Sequence, residues 1–285
     1  MTEQKDPLVL TCIDGSRFSG AVCDYAAWIA STVGAPIKLL HNIERVSTPA
    51  VADLTGSIGL GSQEELLEEL TNLEQQRSRL LLEQGRQLLD QARERAAGAG
   101  AERVVTCQRH GSLVESLVEL EDHIRVLVLG IRGEEHAAES RGLGAQLEPI
   151  VRSLHKPILV VNREFRAPRS IMLAYDGSEA ARKALEMVAH SALFKDVLCH
   201  LVYVGDDAES VLAAGAEALS HGGVSVISAN LQGKTVDALI AYQQENDIDL
   251  TVMGAFSHSK LRDLLLGSVT AKMLLGTNQP LLLLR

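Results

Sequence analysis

Aromatic residues are scarce in this chain of 285 residues, which holds one Trp, four Tyr and four Phe. Because hydrophobic residues still make up 46% of the sequence, the cores must be built from Leu, Val, Ile and Ala. Positive charge is also in deficit, with a formal net charge of −10. Nucleic acids and anionic membranes both need a basic surface, so this balance argues against either as a general partner.

Long apolar runs and paired cysteines are missing as well. No run approaches the roughly 20 residues that a membrane span requires, and residues 1–7 are polar and unlike a secretory signal. The four cysteines form no CxxC pair and lie in or beside predicted strands and a helix, where free Cys behaves as a small hydrophobe: Cys12, Cys23, Cys107 and Cys199. These features predict structural thiols in a reducing cytoplasm, with no membrane span and no metal site.

The chain contains an internal repeat. Residues 8–16 and 170–178 are both apolar runs that end in Asp-Gly-Ser, at Asp14 and Asp176. The two halves also close alike, with a Pro followed by four aliphatic residues after Pro157 and Pro280. A repeat of this kind sets the domain count. It predicts two copies of one module, over residues 1–165 and 166–285.

Each module alternates strands with helical patterns. Strands are predicted near 8–13, 37–42, 103–109, 125–130 and 157–161, and again near 170–175, 197–204, 224–229, 249–254 and 280–284. Strict alternation indicates parallel strands joined by right-handed crossovers. The sequence therefore predicts the α/β class, with two tandem, open, doubly wound five-stranded parallel sheets.

The modules differ most after their second strands. In the first module a Gly/Ser/Thr-rich loop over residues 43–62 precedes a long amphipathic helix over 63–98. Its apolar stripe recurs at three- and four-residue steps through Leu66, Leu70, Leu73, Leu80, Leu81, Leu88 and Ala92. The favoured interpretation is that the stripe covers its own sheet, and the alternative is that its outer part packs on a partner. The loop is either a lid over a ligand or a long connection.

Candidate binding residues lie at the carboxyl ends of the strands, where open parallel sheets bind ligands. Asp14 and Asp176 end the first strands, and a carboxylate there can accept hydrogen bonds from a ribose hydroxyl or an adenine amino group. The alternative is a turn residue, because Asp-Gly is ordinary turn chemistry.

A glycine-containing loop follows the fourth strand of the second module, from Gly254 to Gly267 and Ser268. Glycines let a backbone approach phosphate oxygens, and a helix start attracts anions. Lys260 or Arg262 can add positive charge.

With these residues in place, the chain resembles the universal stress protein family in its tandem-domain form. The family signature is Gly, two residues, Gly, nine residues, Gly and then Ser or Thr, after the fourth strand of a five-stranded sheet. Its spacing is kept here, with Ser in place of the middle glycine, by Gly254, Ser257, Gly267 and Ser268. The resemblance implies that ATP or AMP, with Mg, is bound mainly by the second module. Asp176 and the backbone at Val204 would meet the adenosine, and the glycine loop would hold the phosphates.

The first module carries the same resemblance in weaker form. Its matching residues are Asp14, Gly130, Gly133 and Gly144. Ala145 replaces the hydroxyl residue, and the loop between the last two glycines carries three carboxylates that would repel phosphate, those of Glu134, Glu135 and Glu139. Asn42 stands where the second module has Val204. Nucleotide binding is therefore expected to be weaker in this module.

Two functions follow as hypotheses. The first is a cytoplasmic stress-response regulator that binds an adenine nucleotide and has at most weak ATP hydrolysis. The second is an interaction module without nucleotide, whose two domains pair as a pseudo-dimer and present helix surfaces to protein partners. A hydrolase or ligase of the wider adenine-binding superfamily is disfavoured, since no Ser-Gly-Gly-x-Asp-Ser loop follows the first strand. A homodimer of the whole chain and a monomer are both open.

Overall fold

A computed structural model describes residues 7–44, 60–133, 144–206, 208–255 and 268–285, with backbone alone for 60–67. The described residues of the first half form five strands and four α-helices in alternation. In chain order these are β1 (Leu8–Cys12), α1 (Ser19–Val33), β2 (Ile37–Ile43), α2 (Leu60–Gly98), β3 (Val104–His110), α3 (Leu113–Leu120), β4 (Ile124–Gly130), α4 (Leu147–Ser153) and β5 (Ile158–Val161).

The second half repeats the pattern with shorter helices. Its elements are β6 (Ser170–Ala174), α5 (Glu179–His190), β7 (Leu198–Val204), α6 (Ala208–His221), β8 (Val226–Leu231), α7 (Thr235–Glu245), β9 (Leu250–Gly254), α8 (Ser268–Gly276) and β10 (Leu281–Leu284). The predicted alternation and the α/β class are confirmed. Among the described helices, none is both long enough and apolar enough to cross a membrane.

All ten strands belong to one sheet, in the order β3-β2-β1-β4-β5-β10-β9-β6-β7-β8. Each half is a five-stranded parallel array with the order expected of a doubly wound sheet. The arrays are not separate, because β5 and β10 pair antiparallel, with Leu282 opposite Leu159. The two predicted five-stranded sheets are thus joined into one ten-stranded sheet, in which one edge strand of each half, β5 or β10, is covered by the other half.

The segment between the halves is held by polar contacts. Asn162 donates from its side-chain amide to the carbonyls of Thr277 and Gln279, each at 3.0 Å. Asp249 is 5% exposed, and its carboxylate accepts the backbone N–H groups of Arg169 at 2.9 Å and Ser170 at 3.3 Å. A buried carboxylate needs such donors. These bonds fix the chain where it enters β6.

Helix starts differ between the halves in spite of the repeated Asp-Gly-Ser. Ser178 caps α5, since its hydroxyl accepts the N–H of Ala181 at 3.2 Å. The repeat predicts that Ser16 caps α1 in the same way. This prediction is wrong, because α1 begins three residues later, at Ser19, without a side-chain cap. Ser16 instead lies in the turn that follows Asp14. At the other end, Gly34 ends α1 in the left-handed conformation, as its position predicted.

The long helix α2 begins at Leu60, and its C-terminal part packs on the sheet, unlike most of the described residues before it. Leu89, Ala92 and Ala96 are at most 6% exposed, whereas Leu73 is 55% and Leu80 is 71% exposed. The favoured interpretation, that the apolar stripe covers its own sheet, is therefore wrong for Leu73 and Leu80. The preceding loop, residues 45–59, lies outside the described residues.

Candidate functional site

A cavity of about 340 Å³ opens at the carboxyl edge of the first half. It lies where β1 pairs with β2 on one side and β4 on the other, which is where the strand order reverses. Diverging crossovers leave a crevice at such a switch point. The four residues predicted for the first module all line this cavity: Asp14, Gly130, Gly133 and Gly144.

Asp14 is held by one of its two carboxylate oxygens. Its Oδ1 accepts the backbone N–H of Ser16 at 2.9 Å and the hydroxyl of Ser19 at 3.0 Å. A Cβ added at Gly133 would stand 3.1 Å from the other oxygen, Oδ2. One oxygen of Asp14, Oδ1, therefore stabilises the turn after β1, while the other, Oδ2, lies next to Gly133.

The glycines keep one wall of the cavity free of side chains. A Cβ at Gly144 would lie 3.2 Å from the carbonyl oxygen of Ile131 and from Cα of Arg132, tighter than ordinary contact. The N–H of Gly144 donates to that same carbonyl at 3.0 Å, which ties the two ends of the loop together. A Cβ at Gly130 would stand 3.2 Å from Cβ of Phe18. A ligand can consequently approach the backbone itself along this wall.

Two polar side chains at the end of β2 also line the cavity. His41 donates from Nδ1 to the carbonyl of Ile13 at 2.8 Å, since a carbonyl can only accept, and this leaves Nε2 as an acceptor in the neutral ring. Asn42 donates to the carbonyl of Gly111 at 2.6 Å and accepts from the hydroxyl of Ser116 at 3.2 Å. Asn42 thus ties β2 to the turn that starts α3. His41 is therefore a hydrogen-bonded strand residue that also borders the cavity.

The charges around the cavity are balanced. Two acidic residues, Asp14 and Glu44, and two arginines, Arg77 and Arg132, are among the residues that line it. Cys12 also lines the cavity; burial and, second, the charge of Asp14 raise the pKa of its thiol to about 12. The thiol is therefore protonated at physiological pH and contributes a neutral surface.

The outer wall of the cavity comes from α2, a helix for which the sequence pattern predicts no site. Arg77, Leu81, Gln84 and Leu88 line it. Their spacing of four, three and four residues places them on one helix face. Leu81 and Leu88 belong to the predicted apolar stripe. Arg77 and Gln84, the polar residues on the same face, are the sequence feature that could have indicated a site there.

The second half places its described site residues along the corresponding edge. Asp176 is exposed, and its Oδ1 accepts the N–H of Ser178 at 3.0 Å. Val204 and Gly254 are the last residues of β7 and β9, and Ser268 is the first residue of α8. A Cβ at Gly254 would lie 2.8 Å from Cβ of Ala180, so the start of α5 approaches this strand end closely.

Several residues of the predicted loops cannot be compared with the structure in this way. Ser257, Gly267, Lys260 and Arg262 of the second module lie outside the described residues, as do Glu134, Glu135 and Glu139 of the first.

Comparisons with known proteins agree with this architecture. The sequence profile of the universal stress protein family matches residues 8–162 and 206–285. The universal stress protein Slr1230 of Synechocystis sp. is 37% identical over 284 residues, which cover 97% of this chain and 99% of that protein. This chain therefore belongs to the universal stress protein family.

Solved structures support the same fold. A universal stress protein from Archaeoglobus fulgidus superposes with a TM-score of 0.73 over 99% of both chains, at 17% identity. The protein PA1789 from Pseudomonas aeruginosa superposes with a TM-score of 0.61 over 99% of this chain and 93% of its own, at 16% identity. At these identities the likeness establishes the tandem α/β architecture alone.

Proposed function

We propose that this chain is a cytoplasmic stress-response regulator that binds an adenine nucleotide, ATP or AMP, with Mg as the counterion of the phosphates. Residues 1–165 and 166–285 would act as two domains, each with a site at the carboxyl edge of its strands. The observation that carries the proposal is the cavity of the first half, in which a strand-ending carboxylate faces a glycine-lined wall. Its volume is near the lower end of the range for small-molecule sites.

Different residues of the first half would contact different parts of the nucleotide. The Oδ2 atom of Asp14 would accept a hydrogen bond from a ribose hydroxyl, while Oδ1 holds the turn in place. The bare backbone at Gly130, Gly133 and Gly144 would lie against the phosphates. The site has ligand-holding groups on opposite walls, and the proposed role is binding that biases a conformation or an assembly, with hydrolysis at most weak.

The second half offers a second proposed site. Asp176 and the backbone at Val204 would meet the adenosine, and Gly254, Ser257, Gly267 and Ser268 would surround the phosphates. This assignment rests on the family signature and on the common strand edge of Asp176, Val204 and Gly254.

The first test is to purify the protein without added nucleotide, denature it and identify the released small molecule by mass spectrometry. Calorimetric titration with Mg-ATP and with AMP follows. We expect Asp14→Ala and Asp176→Ala each to weaken binding at its own half by about 10- to 150-fold, the value of about 1.5–3 kcal/mol for a hydrogen bond to a charged group.

Asp122→Ala is the matched control, because Asp122 is an exposed acidic residue of the first half that does not line the cavity. A protein that releases no nucleotide and gives no heat with either ligand would overturn the proposal. So would equal effects of all three substitutions, because charge removal alone would then account for the loss.

A second candidate function is favoured by one observation, the exposed outer part of α2. Leu73 and Leu80 are large apolar residues on a stretch of helix that the described core leaves uncovered. We propose, as the alternative, an interaction module that acts through protein partners on this surface, including a second copy of the chain. An absence of nucleotide in the titrations would favour this function over the first.

A further inference from the structure

Helix α2 reaches the cavity of the first half from the side opposite the glycine turn. It forms a wall with two polar residues, Arg77 and Gln84, and two apolar ones, Leu81 and Leu88. Leu81 and Leu88 are half-buried against the cavity, whereas Arg77 and Gln84 are exposed. The charged residue of this wall, Arg77, thus borders the same cavity as Asp14 and the glycines.

The part of α2 next to the cavity is held in place by close packing. A Cβ at Gly85 would overlap the side chains of His41 and Gln108, so only glycine lets the helix approach β2 and β3 this closely. Gln108 also donates to the carbonyl of Leu82 at 3.3 Å. Farther along, Arg95 makes a bidentate contact with Asp24 at 2.8 and 2.7 Å. Arg77 lies about two turns before Gly85, roughly 12 Å along a helix whose position is fixed.

The chemistry of Arg77 suits one part of the proposed ligand. A guanidinium presents planar, paired donors that match phosphate geometry, and its positive charge is retained at all relevant pH values. Arg77 has no hydrogen bond or ion pair with any described residue, and it differs in this from Arg95. The leucines beside it offer apolar contact for a base or a ribose.

We propose that Arg77 binds, from the α2 side of the cavity, the same phosphate group that lies against the glycine wall of the first half, and that Gln84 hydrogen-bonds to the nucleoside part. This inference rests on the proposed function and assigns the specificity of one site to α2. The helix that follows the second strand of the other half, α6, has 14 residues against the 39 of α2. The two halves would consequently select ligands differently, with the first half recognising charge through Arg77.

The test uses the full chain with Asp176→Ala, so that only the first half is read, and titrates it calorimetrically with AMP and with adenosine. Adding Arg77→Gln should weaken AMP binding by about 10- to 150-fold and leave adenosine binding unchanged, because adenosine has no phosphate. Arg77→Lys should recover part of the loss, since it restores the charge but not the paired donors.

Arg79→Gln is the matched control: it removes the same charge from an exposed position of the same helix that does not line the cavity. Unchanged AMP affinity in Arg77→Gln, or an equal loss in Arg79→Gln, would overturn the assignment to Arg77. Failure of the Asp176→Ala chain to bind AMP, where the unmodified chain binds it, would also overturn it. If the unmodified chain binds neither ATP, AMP nor adenosine, the proposed function falls first.

Discussion

His200 is an ionisable side chain inside the second half, on the central part of β7. It is 6% exposed, and its Nδ1 atom lies 2.8 Å from the hydroxyl of Tyr242. The two rings meet edge to face with centroids 5.7 Å apart. Burial lowers the pKa of His200 below its ordinary value of 6.5, because the charged ring would lose its hydration. The folded chain therefore holds this imidazole neutral.

This burial predicts a loss of stability in mild acid. Well above pH 6.5 His200 is neutral in both the folded and the unfolded chain and has no effect on the pH dependence. As the pH falls below 6.5, the unfolded chain takes up the proton first, so the free energy of unfolding falls until the lowered pKa of the folded state is reached. The contribution is at most about 1.4 kcal/mol per pH unit. Urea unfolding of the wild type and of His200→Gln at pH 7.5 and 5.5 measures it.

His221→Gln serves as the control, because His221 is an exposed histidine at the end of a helix. Its pH dependence should match that of the wild type, whereas His200→Gln should lose stability less steeply on acidification. Identical slopes in all three proteins would contradict the role given to His200.

Helix α2 combines two segments with different environments. Its C-terminal part is buried against α1, β2 and β3, and its outer part projects with exposed leucines. The same residue type thus has different energetic roles on one helix. Truncation removes buried surface and leaves a cavity only where the side chain is packed.

We expect Leu89→Ala to lower the free energy of unfolding by about 2–5 kcal/mol, because Leu89 is 4% exposed. Leu80→Ala, the matched control, should change it by about 0.5 kcal/mol or less, because Leu80 is 71% exposed. Urea denaturation followed by circular dichroism measures both. A large loss in Leu80→Ala would mean that the outer part of α2 is buried in solution, as it would be in an assembly.

The strands could be predicted from the sequence to within one or two residues in most cases, because continuous aliphatic runs such as 158–161 have few alternatives. The first residue of each helix is harder to predict. Ser16 and Ser178 occupy the same place in the repeat, yet only Ser178 caps its helix. In the first half α1 starts at Ser19, whose hydroxyl donates to Asp14, whereas the matching position of the second half is Ala181. A local pattern does not encode which of two hydroxyl groups makes such a bond.

The antiparallel pair of β5 and β10 joins the halves into one body. Leu282 is 3% exposed within this pair, and Trp28, the sole tryptophan, lines the same groove between the halves as Leu282. The sequence predicted both strands but not their pairing, because two all-aliphatic runs carry no information on partner or register.

Since the junction is buried, the halves should unfold together. We expect Leu282→Asp to lower the free energy of unfolding by about 3–5 kcal/mol, because a buried carboxylate there would be unpaired. Trp28 fluorescence and circular dichroism should follow one urea transition, displaced to lower urea in the variant. Leu275→Asp makes the same chemical change at a site that is 53% exposed, and it should have a small effect. Two separate transitions, with only one displaced, would contradict a shared cooperative unit.

The candidate site was predicted in part. Asp14 and the glycines followed from the repeat and from the general position of sites in parallel sheets. Arg77 and Gln84 could not be placed from the pattern, because their position depends on where Gly85 lets α2 settle against His41. Such positions depend on contacts between segments that are distant in the sequence. The periodicity of a helix predicts only which of its faces packs on the rest of the protein.

The β5–β10 junction also changes what a mutation can do. In a symmetric pair of identical subunits, every substitution appears twice, once on each side of the axis. Here the two sides of the junction are encoded separately, so a substitution in one half leaves its counterpart untouched. The two halves already differ in this way, since α2 has 39 residues and the matching helix α6 has 14. One polypeptide therefore carries two unequal versions of a single fold, and a substitution can alter one of them without changing the other.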